Sequence, residues 1–217
     1  MTNAKFICIE GTEGCGKSTH TKKLTTYLKD KGFSVLETKE PGTPLSPLTM
    51  ELRGIMLDAK WDGQLTVAAR EFISQAIRSI HMENVIIPAL TSYDYIIQDR
   101  GILSGFAYGL ACGNDNLLIA QLVNEVTKKT GKSYWNLYDK VIYLKGDAAK
   151  GLSRARAAKQ EFAAGDSIEA KGFSFLEKVS TNMDQIITSF PHAIINMEGR
   201  SVNANFAEIL KSLELGE

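Results

Sequence analysis

Five short stretches of the chain are apolar at nearly every position, a pattern typical of strands that are covered on both faces of a parallel sheet. They span residues 5–10, 33–38, 95–99, 140–144 and 193–197. Segments with helical periodicity separate them, at 17–31, 45–58, 66–90, 115–130, 147–159, 169–190 and 203–213. Strands that alternate with helices predict an α/β fold, with a five-stranded parallel sheet, right-handed crossovers and helices on both faces. Because no repeat or low-complexity linker interrupts the pattern, we expect one domain over residues 1–217.

The predicted helix at 66–90 has two distinct faces. Its apolar stripe consists of Phe72, Ile73, Ala76, Ile77 and Ile80. A polar row recurs opposite this stripe at three- and four-residue spacing and consists of Glu71, Ser74, Arg78 and His81. Such a row either faces a ligand or forms the solvated side of the helix, and the spacing is compatible with both.

Composition narrows the classes of function. Hydrophobic residues make up 44% of the chain and charged residues 23%, with 25 basic and 25 acidic side chains. This balance excludes a disordered chain and argues against a nucleic-acid partner, which would require a basic surface. No stretch approaches the roughly 18 apolar residues of a membrane span, so we expect no membrane partner. With no signal peptide expected and only three cysteines, the chain is predicted to be cytoplasmic, with reduced thiols.

The most specific motif follows the first strand and fits G-x-x-x-x-G-K-[ST]. It reads Gly11-Thr12-Glu13-Gly14-Cys15-Gly16-Lys17-Ser18. A glycine-rich loop that opens a helix turns its backbone N–H groups inward and forms an anion site. Lys17 can then reach the β- and γ-phosphates of a nucleotide, and the Ser18 hydroxyl can ligate Mg²⁺. The motif predicts binding of a nucleoside triphosphate.

A second anion site is predicted where the third strand ends, at Asp99 and Arg100. Ligands of open parallel sheets lie beyond the carboxyl ends of the strands. Asp99 can hold Mg²⁺ through water, and Arg100 can bind a phosphate with two parallel hydrogen bonds. An ordinary surface ion pair is the alternative. The base-reading motif Asn-Lys-x-Asp of GTPases does not occur in the chain, which argues against a GTPase switch.

The segment 154–172 is poor in apolar anchors. A segment that buries little surface is mobile, and mobile segments beside active sites often close over them, so we expect a lid here. A frayed surface helix and loop are the alternative.

Together these residues resemble the thymidylate kinase family of P-loop nucleoside monophosphate kinases. The matching motifs are Glu10-Gly11 with Glu13 and Gly16-Lys17-Ser18-Thr19, Glu40-Pro41-Gly42, Asp99-Arg100 with Ser104 and Tyr108, and the lid arginines Arg154 and Arg156. The resemblance implies a three-layer P-loop fold and transfer of phosphate from Mg-ATP to dTMP, giving dTDP for dTTP synthesis. It also implies a homodimer.

The resemblance further implies a role for each matching residue. ATP would be bound by the loop from Gly11 to Thr19, and Mg²⁺ by Ser18 and Asp99. The catalytic residues would be Glu13, Lys17, Arg100, Arg154 and Arg156. The dTMP site would comprise Glu13, Lys39, Arg53, Ser74, Arg78, Arg100, Ser104 and Tyr108. Within it, Arg100 would bind the 5′-phosphate, Arg78 the pyrimidine and Tyr108 the sugar.

Four positions depart from the family pattern. Ser74 replaces a base-stacking phenylalanine, Gly105 replaces a polar residue, and Ala158 and Ser167 replace lid arginines. Two alternatives therefore stay open. One is a kinase for another deoxynucleoside monophosphate, such as dUMP or a modified pyrimidine nucleotide. The other is an inactive relative that binds ATP without transferring phosphate.

Overall fold

A five-stranded, all-parallel sheet forms the centre of the protein in a computed structural model that describes residues 4–158 and 171–216, without the side chains of 155–158. The strands are β1 (Lys5–Glu10), β2 (Val35–Lys39), β3 (Tyr95–Asp99), β4 (Lys140–Lys145) and β5 (His192–Asn196). Their order across the sheet is β2-β3-β1-β4-β5. The predicted sheet is confirmed, with strand ends shifted by at most two residues.

The helices lie between and after the strands. They are α1 (Lys17–Asp30), α2 (Pro47–Leu57), α3 (Val67–His81), α4 (Ile87–Ser92), α5 (Ile102–Ala111), α6 (Asn116–Thr127), α7 (Ala148–Ala158), α8 (Phe173–Ile186) and α9 (Val202–Ser212). Short 3₁₀ turns occur at Ala59–Trp61, Lys128–Thr130, Tyr134–Asn136 and Ile187–Ser189. Among the described helices, none is long and apolar enough to cross a membrane.

Alternation along the strands divides the core into two layers, one on each face of the sheet. In β1, Phe6 and Cys8 point into one layer, while Ile7 and Ile9 point into the other. The first layer also takes side chains from α5 and α8, and the second takes them from α1 and α9. Because both faces are covered, the strands carry the near-continuous apolar runs from which they were predicted.

Helix α5 is the element that the sequence pattern did not predict. Apart from Ser104 and Tyr108, its residues Ile102–Ala111 are small or apolar, and none is charged. Phe106 and Ala107 are buried, and the helix packs along α8. A helix buried on most sides lacks the periodic contrast by which a surface helix is recognised.

The predicted helix at 66–90 is wound differently from a single α-helix. A π-helical segment, Met82–Ile86, separates α3 from α4. It ends two residues before Pro88, which lies in α4. Proline has no N–H to donate to the preceding turn, so a departure from regular α-helical bonding close to it is expected.

Candidate active site

The phosphate-binding loop connects β1 to α1, as its motif predicts. The helix begins at Lys17, and Gly16 before it has the left-handed conformation that glycine adopts readily (φ 95°). The Lys17 side chain folds back into the loop, where Nζ donates to the carbonyl oxygen of Thr12 at 2.6 Å. The loop therefore holds a buried ammonium beside the free N–H groups of a helix N-terminus, which suits a polyphosphate.

Ser18 and Asp99 lie side by side at the carboxyl end of the sheet. The Ser18 hydroxyl donates to Oδ2 of Asp99 at 2.6 Å. The two residues come together because β1 and β3 are neighbours, with Ile9 opposite Asp99 in the register. A hydroxyl and a carboxylate oxygen are ligands that Mg²⁺ accepts, so these residues fit the predicted ion. In the described part of the chain no larger group of acidic, histidine or cysteine ligands occurs.

Arg100 is fixed over the loop by three groups. Its Nη1 donates to the carbonyl oxygen of Gly11 at 2.8 Å and to Oγ of Ser104 at 3.1 Å, and Nη2 pairs with Oε2 of Glu13 at 2.5 Å. Its backbone is left-handed (φ 64°), which is uncommon for a residue with a side chain. Burial opposes the charged form, but Tyr108, Glu13 and Asp99 outweigh it and raise the pKa of Arg100, so the guanidinium stays charged.

Tyr108 borders Arg100 on α5. The Arg100 guanidinium lies 5.3 Å from the centre of the Tyr108 ring. Burial raises the pKa of Tyr108 to about 12, so the hydroxyl stays protonated at neutral pH. That hydroxyl is buried and finds no hydrogen-bond partner among the described residues. A buried polar atom without a partner is costly, so this hydroxyl is suited to meet a ligand atom.

Glu10 plays a part that sequence reasoning did not assign to it. This buried carboxylate accepts hydrogen bonds from the N–H groups of Gly101 and Ser104 and from the Ser104 hydroxyl. It thus caps the N-terminus of α5 from the end of β1, a distance of about ninety residues in sequence. Burial raises the pKa of Glu10, while the bonds from Ser104 and the charge of Arg100 oppose that rise. The cap determines where α5 presents Ser104 and Tyr108.

The polar row of α3 is buried instead of solvated. Arg78 Nε donates to Oε2 of Glu40 at 2.9 Å, and Nη1 donates to Oε1 of Gln75 at 2.8 Å. His81 lies 3.3 Å from Oε1 of Glu40. The apolar stripe on the other side of the helix is only partly buried, because Phe72 is 53% exposed while Ile77 is fully buried. Of the predicted row, Ser74 alone is half-buried.

Two further residues of the predicted dTMP site flank the end of β2. Lys39 is exposed and stands opposite Asp99 in the strand register. Arg53, on α2, donates from Nη1 to the carbonyl oxygen of Pro41 at 2.8 Å. Both side chains therefore lie at the same edge of the sheet as Arg100, where a second nucleotide can approach the phosphate-binding loop.

Helix α7 brings one of the predicted lid arginines to the loop. Arg154 donates from Nε to the carbonyl oxygen of Gly14 at 3.2 Å. The side chain of Arg156 and residues 159–170, which make up most of the predicted lid, lie outside the described residues.

A cavity of about 290 Å³ opens beside the loop, and sequence reasoning missed it. Its lining comes from the segments that follow β4 and β5 and consists of Gly146, Asp147, Lys150, Arg154, Met197, Glu198, Gly199 and Arg200. The rule that ligands lie beyond the carboxyl ends of neighbouring strands could have located it. Arg154 belongs both to the cavity wall and to the loop contact, so the cavity adjoins the phosphate site.

Comparison with known proteins shows the family of the chain. The family model described as thymidylate kinase matches residues 9–209. The chain is 30% identical over 210 residues to a thymidylate kinase of Nitrosospira multiformis, covering 97% of this chain and 95% of that one. It is 33% identical over 181 residues to one of Prochlorococcus marinus, covering 81% and 80%. A crystal structure of thymidylate kinase from Ehrlichia chaffeensis shares the fold, with a TM-score of 0.73, 23% identity and coverage of 97% and 99%. The chain belongs to the thymidylate kinase family.

Proposed function

We propose that the protein transfers the γ-phosphoryl group of Mg-ATP to the 5′-phosphate of dTMP, giving dTDP and ADP, and that the whole chain acts as one kinase domain. The observation that carries the proposal is the position of Arg100, which faces the phosphate-binding loop and is held there by Glu13 and Ser104. A fixed guanidinium opposite a triphosphate site is suited to hold the phosphate of an acceptor nucleotide.

The donor nucleotide would occupy the loop and the cavity beside it. The loop amides and Lys17 would hold the ATP phosphates, and Ser18 and Asp99 would hold Mg²⁺. When bound, the ion would neutralise part of the charge on the phosphates. The cavity of about 290 Å³ adjoins the loop and is of a size that suits a nucleoside moiety.

The acceptor would bind between β2, α3 and α5. Arg100 would hold its phosphate, with Lys39 and Arg53 nearby, and the unpaired hydroxyl of Tyr108 would face its sugar. Arg78 would meet the base, beside the half-buried Ser74. The attacking phosphate is largely dianionic at neutral pH, so the chemistry requires no general base.

Charge that develops on the transferred group would be stabilised by Arg154 and Arg156. Arg154, on α7, contacts the loop at Gly14, whereas Arg100 contacts it at Gly11 and Glu13. The two arginines would therefore approach the phosphates from different parts of the loop. Phosphoryl-transfer enzymes lower the barrier mainly by positioning the reactants and by stabilising the developing charge with cations.

The protein is further proposed to be a cytoplasmic homodimer. Cys8, Cys15 and Cys112 are free thiols, as expected in a reducing compartment. Helices α2 and α6 both pack against α3. These three neighbouring helices expose large apolar side chains, namely Leu48, Ile55, Val67, Phe72 and Leu117. Apolar side chains gathered on neighbouring surface helices indicate an interface between subunits.

An ADP-release assay with Mg-ATP against dTMP, dUMP, dCMP, dGMP and UMP tests the function. We expect the highest kcat/KM with dTMP. A higher value with another monophosphate would favour the alternative acceptor, for which Ser74 and Gly105 are the motivating residues. ATP binding without ADP release on any monophosphate would favour the inactive relative.

A further inference from the structure

Arg78 is buried, yet its capacity to donate hydrogen bonds is only partly used. A guanidinium carries five N–H donors. Three find acceptors in the described part of the chain: Glu40 accepts from Nε, Gln75 from Nη1, and the carbonyl oxygen of Gly101 from Nη2 at 3.4 Å. One N–H on each terminal nitrogen is left, although the side chain is only 4% exposed. Unused donors on a buried cation indicate a ligand that accepts hydrogen bonds.

Gln75 holds this guanidinium in one orientation, and Glu71 determines how Gln75 does so. An ionised carboxylate only accepts hydrogen bonds. Oε1 of Glu71 lies 2.7 Å from Nε2 of Gln75, so the amide must turn its NH₂ group toward Glu71. Its oxygen then faces Arg78, which has only donors to offer. A flipped amide would lose both of these contacts.

Glu71 is itself held from the far side. Nδ2 of Asn114, just before α6, donates to Oε2 of Glu71 at 3.0 Å. The chain of contacts thus runs from Asn114 through Glu71 and Gln75 to Arg78, and Glu40 closes it at the other end.

Two glycines of α5 make room for this chain. A Cβ atom on Gly105 would lie 2.6 Å from Nη2 of Arg78, and one on Gly109 would lie 2.8 Å from Oε2 of Glu71. Gly105, which departs from the family pattern, therefore leaves the space that the Arg78 guanidinium occupies. The two helices fit each other through glycine on α5 and polar side chains on α3.

From these contacts we infer that Gln75, backed by Glu71, is a positioning residue that selects the acceptor base through Arg78. The inference rests on the proposed contact of Arg78 with the base. A guanidinium fixed in place offers only hydrogen-bond donors. It can therefore donate to the 4-oxo group of thymine or uracil, and it disfavours the 4-amino group of cytosine, which is itself a donor. A guanidinium that is free to swing away would lose this discrimination.

The test is the kinetics of Gln75→Met, which keeps the size of the side chain and removes both hydrogen bonds. We expect KM for dTMP to rise about tenfold, the effect of losing a hydrogen bond to a charged group, while KM for ATP stays within about twofold. The inhibition constant of dCMP, measured in competition with dTMP, should stay unchanged or decrease. Glu71→Gln has an amide that can donate as well as accept. It should raise KM for dTMP and leave the inhibition constant of dCMP unchanged or lower, as Gln75→Met does.

Ile77→Val is the matched control, since Ile77 is buried on the same helix outside this chain of contacts. It should leave the ratio of the two constants unchanged. If Gln75→Met weakens dTMP and dCMP in parallel, or leaves KM for dTMP within about twofold of the wild type, the inference is wrong. A wild-type protein that does not phosphorylate dTMP would instead overturn the proposed function.

Discussion

A Cβ atom on Gly14 would lie 1.9 Å from the carbonyl oxygen of Gly151, so the phosphate-binding loop and helix α7 meet backbone to backbone. The contact is mutual, because a Cβ on Gly151 would lie 2.3 Å from the carbonyl oxygen of Glu13. A side chain at position 14, including an arginine, would push α7 away from the loop. In the proposed function, Arg154 on α7 therefore takes a place beside the loop that a side chain at position 14 would block.

Gly14→Ala should impair both stability and turnover. Gly14 has a left-handed backbone (φ 64°), so alanine costs about 1–2 kcal/mol there, and the contact with Gly151 is lost as well. Gly32→Ala is the matched control, with φ 89° and open space around its Cβ position. Urea unfolding should show a loss of stability in both variants. A fall in kcat of about tenfold or more is expected only in Gly14→Ala. Equal kcat values would contradict the role of the Gly14–Gly151 contact.

Arg100→Ala should abolish use of the acceptor while ATP still binds. The substitution removes a fixed guanidinium and its ion pair with Glu13. We expect kcat/KM for dTMP to fall about 10²–10³-fold, with the dissociation constant of ATP within about twofold. Arg100→Lys keeps the charge but not the planar guanidinium, so its kcat/KM for dTMP should lie between those of the wild type and Arg100→Ala. Unchanged turnover of dTMP in Arg100→Ala would exclude the proposed phosphate site.

Arg154→Ala should lower kcat more than it raises KM for dTMP. Arg154 contacts Gly14 on the loop, whereas Arg78 pairs with Glu40. Loss of a cation that acts on the developing charge costs about 10²–10³-fold in kcat. Single-turnover phosphoryl transfer separates this effect from product release. A change confined to KM for dTMP would assign Arg154 to acceptor binding instead.

Glu40 should contribute to stability above its unfolded pKa and lose that contribution in acid. Burial opposes its ionisation, but Arg78 and His81 outweigh burial and lower the pKa of Glu40 below the ordinary value of 4.5. The folded protein then binds fewer protons than the unfolded chain near pH 4.5, so stability falls as the pH decreases through the folded pKa.

Carboxyl ¹³C shifts of Glu40, followed by NMR through a pH titration, measure this pKa directly. Arg78→Met should raise the pKa of Glu40, because burial then acts with less opposition. An unchanged pKa in the variant would show that Arg78 does not determine the ionisation of Glu40.

Phe72→Glu should convert the proposed dimer to monomers. Phe72 is 53% exposed on α3, and a charge at an apolar interface is costly to bury. Sedimentation velocity measures the effect. Val202→Glu, at a 48% exposed site on α9, is the control and should remain dimeric. A wild-type protein that sediments as a monomer would exclude the dimer.

Local pattern was sufficient for much of the architecture. The five strands could be located because each is apolar along its length, a consequence of burial on both faces. The phosphate-binding loop could be recognised because its glycines and Lys17 act through adjacent backbone. Asp99 and Arg100 could be placed beside that loop because strand ends of a parallel sheet share one edge.

Only the tertiary structure decided what the polar row of α3 does. Whether Arg78 is solvated or buried depends on Glu40, 38 residues away, and on bare glycines of α5. Helix α5 itself could not be recognised from the sequence. Its N-terminus is capped by Glu10 at the distant end of β1, and neighbouring elements surround it. Pattern along a chain records which residues prefer to be buried. It does not record which distant partner satisfies a buried charge. Here that partner is Glu40, which holds Arg78 in the proposed dTMP site.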